Sequence, residues 1–304
     1  MTEARIGRRT FCLSGALAAI GLAAGPLSGK ASAPRTAPSQ RYRIAVCDWM
    51  ILKRQKLGAF KRTHEIGADG VELDMGGLGN RPTFDSKLMD PIERARFKAE
   101  VRKYNLEICS MAMSGFYAQS FAERETVPLM VKDTINTMEL MGVKVAFLPL
   151  GVQGDLVQRP ELRPRIVARL KEVAPMAEAA GVIIGLETAL DARGEVALLD
   201  EVGSPAIRSY FNFANSLQAG RDLHKELRIL GRDRICQIHC TDEDGVWLQD
   251  NKRLDMHRVK DTLDDLGWSG WLVIERSRDA NNPRDVVGNF GANTRYLKSI
   301  FQSS

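Results

Sequence analysis

Four residues, each at or near the end of a short apolar run, carry groups able to do chemistry together. Glu187 ends V-I-I-G-L-E (182–187), and Asn212 falls in I-R-S-Y-F-N-F (207–213). His239 falls in I-C-Q-I-H-C (235–240), and Glu275 in W-L-V-I-E-R (271–276). A carboxylate inside an apolar core is costly unless it is paired, metal-bound or open to water. A Glu that ends a β-branched run therefore marks where a buried strand gives way to a wet pocket. Two carboxylates, one imidazole and one amide can bind one divalent cation through oxygen and nitrogen. With no thiolate in the set, Mn²⁺, Mg²⁺, Co²⁺ or Zn²⁺ suits it, and a structural zinc site does not. His239 stands in H-C-T-D (239–242), so Asp242 reads as its helper. Taken singly, each has an ordinary reading, a strand-end Glu in solvent or a plain polar His. Their convergence is what carries weight.

The elements that would position them alternate along the chain. Strands are expected near 43–48, 70–74, 106–112, 144–150, 182–188, 207–213, 235–240 and 271–276. Helical patterns lie between and after them, at 54–67, 91–104, 124–141, 159–180, 194–202, 220–231, 256–267 and 284–301. Eight βα units with no break in composition predict one closed (β/α)8 TIM barrel over residues 41–304, rather than a doubly wound sheet. Such barrels build their sites at the carboxyl ends of the strands. That rule adds Asp48, Glu72, Asp74, Asn215 and Asp242 as candidates. It also makes the stretch from Met111 to Tyr117 a source of apolar and aromatic groups over the mouth.

The net charge of +5 says little about partners. Four of the 43 bases and one of the 38 acids lie in residues 1–33, leaving an excess of +2 beyond them. That balance gives no reason to expect nucleic acid or an anionic membrane. Residues 1–33 read as a twin-arginine export signal: Arg8 and Arg9, a mild apolar run from Leu13 to Leu27, then Ala31-Ser32-Ala33. The run is too short and too rich in Gly and Ala for stable membrane insertion. Residues 34–40 read as a flexible spacer, and the mature protein is expected in the periplasm or outside the cell. Cys47, Cys109, Cys236 and Cys240 form no C-x-x-C and are expected as core or strand-end residues.

Several stretches make the chain resemble the xylose isomerase-like superfamily of sugar isomerases and epimerases, which also includes apurinic endonucleases. They are G-A-D-G-V-E-L-D (67–74), G-L-E-T (185–188), Y-F-N-F-A-N-S (210–216), I-H-C-T-D (238–242) and G-W-S-G-W-L-V-I-E-R (267–276). The resemblance implies one divalent metal, often Mn²⁺, held by strands 5 to 8, which places Glu187, Asn212, His239 and Glu275 as its ligands. It implies that Glu187 and Glu275 flank a small carbohydrate and move a proton beside its carbonyl through an enediolate. Glu72 matches a common pocket position, and Asn215, Asp242 and Arg276 are read as meeting substrate. The chain departs from the pattern at Asn212, where the family usually has Asp, at Asn215, where some members have His, and at Thr241, where many have Lys. Homo-oligomers remain possible.

Two rivals stay open at this stage. One is a lyase that makes the same proton abstraction on a 3-keto-sugar or glycoside and follows it with β-elimination. The other is an exported sugar-binding barrel without chemistry, for which Asn212 is the best evidence. The endonuclease reading is disfavoured by four histidines in all and near-neutral charge.

Overall fold

The computed structural model describes residues 41–303, so the expected signal and spacer lie outside the described residues. Eight parallel strands close in sequence order into a barrel. They are β1 (Tyr42–Cys47), β2 (Gly70–Asp74), β3 (Glu107–Ala112), β4 (Val145–Pro149), β5 (Ile183–Glu187), β6 (Ile207–Asn212), β7 (Ile235–His239) and β8 (Gly270–Ile274). Around them run α1 (Gly58–Ile66), α2 (Pro91–Lys103), α3 (Val127–Met141), α4 (Gly151–Gly154) and α5 (Arg163–Ala180). The circuit continues with α6 (Ala192–Val202), α7 (Phe213–Gln218), α8 (Leu223–Arg234), α9 (Met256–Asp265) and α10 (Val286–Phe301). The expected (β/α)8 architecture is what the chain adopts. Among the described residues no helix is long and apolar enough to cross a membrane.

The longer helices bury apolar residues against the barrel. In α9 the buried positions are Met256, Val259, Thr262 and Leu263, one face at helical spacing. Burying a side chain such as Leu263 stabilises by roughly 1.5–3 kcal/mol. The helix starts where the Asp255 carboxylate accepts from the backbone N–H groups of His257 and Arg258, a cap typically worth about 1 kcal/mol. Gly142 and Gly181 end α3 and α5 in the left-handed conformation.

Two differences from the expected elements matter. The run 207–213 stops as a strand at Asn212, and α7 begins at once, because the Asn212 side chain accepts from the Ala214 N–H. A six-residue helix opening on Phe213 is too short to show helical periodicity, and its first residue continues the strand alternation. Helix α8 runs nominally to Arg234, but Gly231 at φ 69 and ψ 167 interrupts it where the sequence pattern ends.

Register sets the site. Asn212 pairs with His239 across β6 and β7, and Pro149 with Glu187 across β4 and β5. The β2–β3 ladder shifts register between Val71 and Glu72, placing Glu72 opposite Ser110. The β6–β7 ladder shifts beside Tyr210. Irregularities of this kind re-aim side chains. Here they flank two residues that meet across the barrel interior.

Candidate active site

The carboxyl ends of β5 to β8 bring Glu187, Asn212, His239 and Glu275 together, as expected from their positions in the chain. His239 Nδ1 lies 2.9 Å from Glu187 Oε2 and 4.0 Å from Glu275 Oε2. The Asn212 amide donates to Glu187 Oε2 at 2.8 Å and to Glu275 Oε2 at 3.2 Å. All four are buried, His239 completely.

Beneath them stands a polar column. His239 Nε2 is 3.0 Å from Glu72 Oε1. Glu72 Oε2 accepts from the hydroxyls of Ser110 at 2.6 Å and Tyr210 at 2.8 Å. Gln237 Nε2 donates to both of those hydroxyl oxygens. The rings of Phe147 and Tyr210 sit 4.8 and 4.6 Å from the imidazole, so it has no room to turn. Glu72 was expected to meet substrate. It is instead fully buried below His239, because strand alternation and the register shift aim it inward. A carboxylate stands at each nitrogen, so the charged imidazole donates from both. Because Glu72 holds the Nε2 proton, it is Nδ1, facing Glu187 and Glu275, that can give its proton up to become a metal ligand.

Burial and charge work against one another here. Burial lowers the affinity of His239 for a proton, but the charges of Glu275 and Glu72 and the bonds to Glu187 and Glu72 hold it well above the usual range. Burial raises Glu187, yet the hydrogen bond and charge of His239, with the Asn212 and Tyr117 donors, bring it below its ordinary value. Glu275 is raised, by burial first and then by the charge of Glu187, which outweigh His239. The two carboxylates are pushed apart.

Above them opens a cavity of about 300 Å³, whose lining includes Tyr117, Asp155, Glu187, Asn215, Gln218 and Arg276. Asn215 and Arg276 are therefore where a substrate-facing residue should be. Asn215 donates to the Thr188 carbonyl at 3.0 Å, and Arg276 Nε stands 3.9 Å from Glu275 Oε2. Asp242 is not there. Arg253 grips its two oxygens at 2.6 and 3.0 Å and Asn251 adds a third bond, so it anchors the loop after β7 and makes no bond to His239. Asp48 and Asp74 likewise accept from backbone N–H groups of their own loops, at Gln55 and Gly76.

Tyr117, Asp155 and Gln218 line the cavity without having been singled out by type and spacing. Tyr117 was noted only as part of an aromatic stretch, yet its hydroxyl donates to Glu187 Oε1 at 3.0 Å. Its ring lies on Gly151, where a Cβ would come within 2.8 Å of Tyr117 Cδ1. Asp155, just after α4, has no local signal beyond its place in the loop after β4.

Residues 60–299 match the family model described as xylose isomerase-like TIM barrel. The chain belongs to that family. The chain is 26% identical over 205 residues to 2-epi-5-epi-valiolone 7-phosphate 2-epimerase of an Actinoplanes species, covering 66% of this chain and 72% of that one. Its fold is similar to that of the 3-keto-D-glucoside 4-epimerase of E. coli, with a TM-score of 0.65 at 15% identity over 85% of this chain and 99% of that chain. D-psicose 3-epimerase of Clostridium cellulolyticum H10 is similar too, with a TM-score of 0.68 at 14% identity over 85% and 99% of the two chains. This xylose isomerase-like barrel is an enzyme of the isomerase and epimerase kind.

The family implies a divalent metal, and the donor chemistry here fits one. Glu187, His239 and Glu275 each offer a ligand atom, all within 4.8 Å of one another. His239 has its other nitrogen engaged by a carboxylate, as metal-binding histidines commonly do. Asn212, expected as the fourth ligand, turns its N–H groups to the site while its oxygen caps α7.

Proposed function

We propose that this barrel is a divalent-metal-dependent sugar isomerase or epimerase, which moves a proton on the carbon beside a carbonyl of a ketose or keto-acid. One observation carries the reading. Glu187 and Glu275 flank the Asn212 amide, with Glu187 and Asn212 lining the cavity, and their environments push their proton affinities in opposite directions. An acid and a base acting on one substrate need that division.

Glu187, kept ionised by His239, Asn212 and Tyr117, takes the proton from the carbon. Glu275, on the other side of the Asn212 amide and with its proton affinity raised by burial and by the charge of Glu187, returns one to the opposite face. Arg276 and Asn215 meet hydroxyls or the carbonyl of a small carbohydrate at the cavity wall. A divalent cation held by Glu187, His239 and Glu275, with Mn²⁺ favoured, supplies a fixed positive charge that favours negative charge on the substrate oxygens. The similarity to epimerases of 2-epi-5-epi-valiolone 7-phosphate, a 3-keto-D-glucoside and D-psicose supports a carbohydrate substrate.

Incubation with D-psicose or D-tagatose and Mn²⁺ in heavy water, followed by NMR, tests the reading. The wild-type protein should place deuterium beside the carbonyl. Glu187→Gln and Glu275→Gln should each abolish that exchange while leaving the circular dichroism unchanged. Exchange that survives both substitutions would sink the assignment of these two carboxylates.

A further inference from the structure

The side-chain amide of Asn212 has two N–H donors and one oxygen acceptor. All three are committed. The donors go to Glu187 Oε2 and Glu275 Oε2. The oxygen accepts from the Ala214 N–H at 2.9 Å, with Asn212 in the extended conformation of a helix cap. Turning the amide over would set its oxygen against two carboxylate oxygens and its N–H groups against a backbone N–H. Only one orientation satisfies the surroundings.

We propose that Asn212 is a donor that bridges Glu187 and Glu275, and that any divalent cation here is held by three side chains only, Glu187, His239 and Glu275. This rests on the metal-binding part of the reading above and not on the identity of the substrate. The comparison with an aspartate at the same place shows what the amide does. An aspartate would spend one oxygen on the helix cap and turn the other, without a proton, toward two carboxylates. Three like charges in a buried pocket need a cation between them. The amide removes that need, because it supplies the two carboxylates with hydrogen bonds of its own. The site is therefore complete in its hydrogen bonding before a metal arrives, and a cation gains less by binding. Three protein ligands also leave more of the coordination sphere for substrate or water, as in catalytic metal sites generally.

The full chain, stripped of metal with a chelator, is compared with Asn212→Ala and Asn212→Asp by calorimetric titration with MnCl₂ and by melting temperature without metal. Asn212→Ala should bind Mn²⁺ at least as tightly as wild type, since no ligand is lost and the two carboxylates lose a competing donor, whereas loss of a true ligand costs about tenfold or more. Asn212→Asp keeps the helix cap, should melt below wild type when metal-free, and should recover on adding Mn²⁺, with affinity raised about tenfold or more. A drop of about tenfold in Mn²⁺ affinity for Asn212→Ala, with unchanged circular dichroism, overturns the proposal by making the amide a ligand. So does a metal-free Asn212→Asp that melts at or above wild type, since the bridge would then count for nothing. Should wild type take up no Mn²⁺ at all, the metal-free melting comparison alone decides. Failure of every keto-sugar to exchange its proton would remove the isomerase reading and leave these titrations as they are.

Discussion

His239 Nε2 and Glu72 Oε1 face each other at 3.0 Å in the closed interior of the barrel, where both side chains are fully buried. This pairing makes Glu72 a positioning residue for the imidazole. Glu72→Gln, which retains the size of the side chain, should weaken Mn²⁺ binding by about 10- to 100-fold, the usual cost of losing the carboxylate behind a metal-binding histidine. Mn²⁺ titration of the folded variant checks it, with near-ultraviolet circular dichroism as the control. Unchanged affinity would mean that Phe147 and Tyr210 alone hold the ring.

Tyr117 touches the opposite oxygen of the base. Tyr117→Phe removes the hydroxyl that donates to Glu187 Oε1 and keeps the ring packed on Gly151. A hydrogen bond to a charged group contributes about 1.5–3 kcal/mol, so kcat should fall roughly 10- to 100-fold. KM should change little, and the melting temperature should fall by several degrees with the lost bond. A rise in KM with kcat intact would assign Tyr117 to substrate binding instead.

Glu195, on α6, is buried behind β5. Burial pushes its carboxyl up to about 7 from an ordinary 4.5, and the Thr188 hydroxyl at 3.2 Å offsets only part of that. Between those values the folded state holds a proton that the unfolded chain releases. Stability from this group is therefore full below about pH 4.5 and is lost as pH rises to about 7. Glu195→Gln should melt with no such loss, and its advantage over wild type should grow toward roughly 3 kcal/mol by neutral pH. Melting curves at a series of pH values read this directly. A difference that stays flat with pH would mean that Glu195 ionises like an exposed carboxylate.

Gly185 lies two residues before Glu187 on β5. A Cβ there would come 2.6 Å from Cys236 Sγ and 3.0 Å from Tyr210 Cβ. Gly185→Ala should destabilise by about 1–3 kcal/mol through overpacking. Cys236→Ala in the same chain should recover part of the loss, a coupling expected only for side chains in contact. Chemical denaturation of the single and double variants measures it, and strictly additive effects would show that the backbone has shifted instead.

The linear chain was enough to determine the barrel and the meeting of its four strand-end groups. Eight apolar runs alternating with amphipathic stretches admit few arrangements, and a parallel barrel places every strand end on one rim. Glu187, Asn212, His239 and Glu275 were bound to share that rim once the strands were located. What each side chain does there was decided by the tertiary structure. Glu72 ends up under His239 because of a register shift beside it and hydroxyls from β3 and β6. Tyr117 reaches Glu187 across 70 positions of chain, over a glycine that leaves room for its ring. Asp242 looked like a helper of His239 until Arg253 claimed it. Which way the Asn212 amide points depends on the cap of a six-residue helix and on two carboxylates from other strands. Periodicity and residue type report which face of an element is buried. They carry no record of a hydrogen bond between distant strands, because its partner and direction exist only after the barrel has closed.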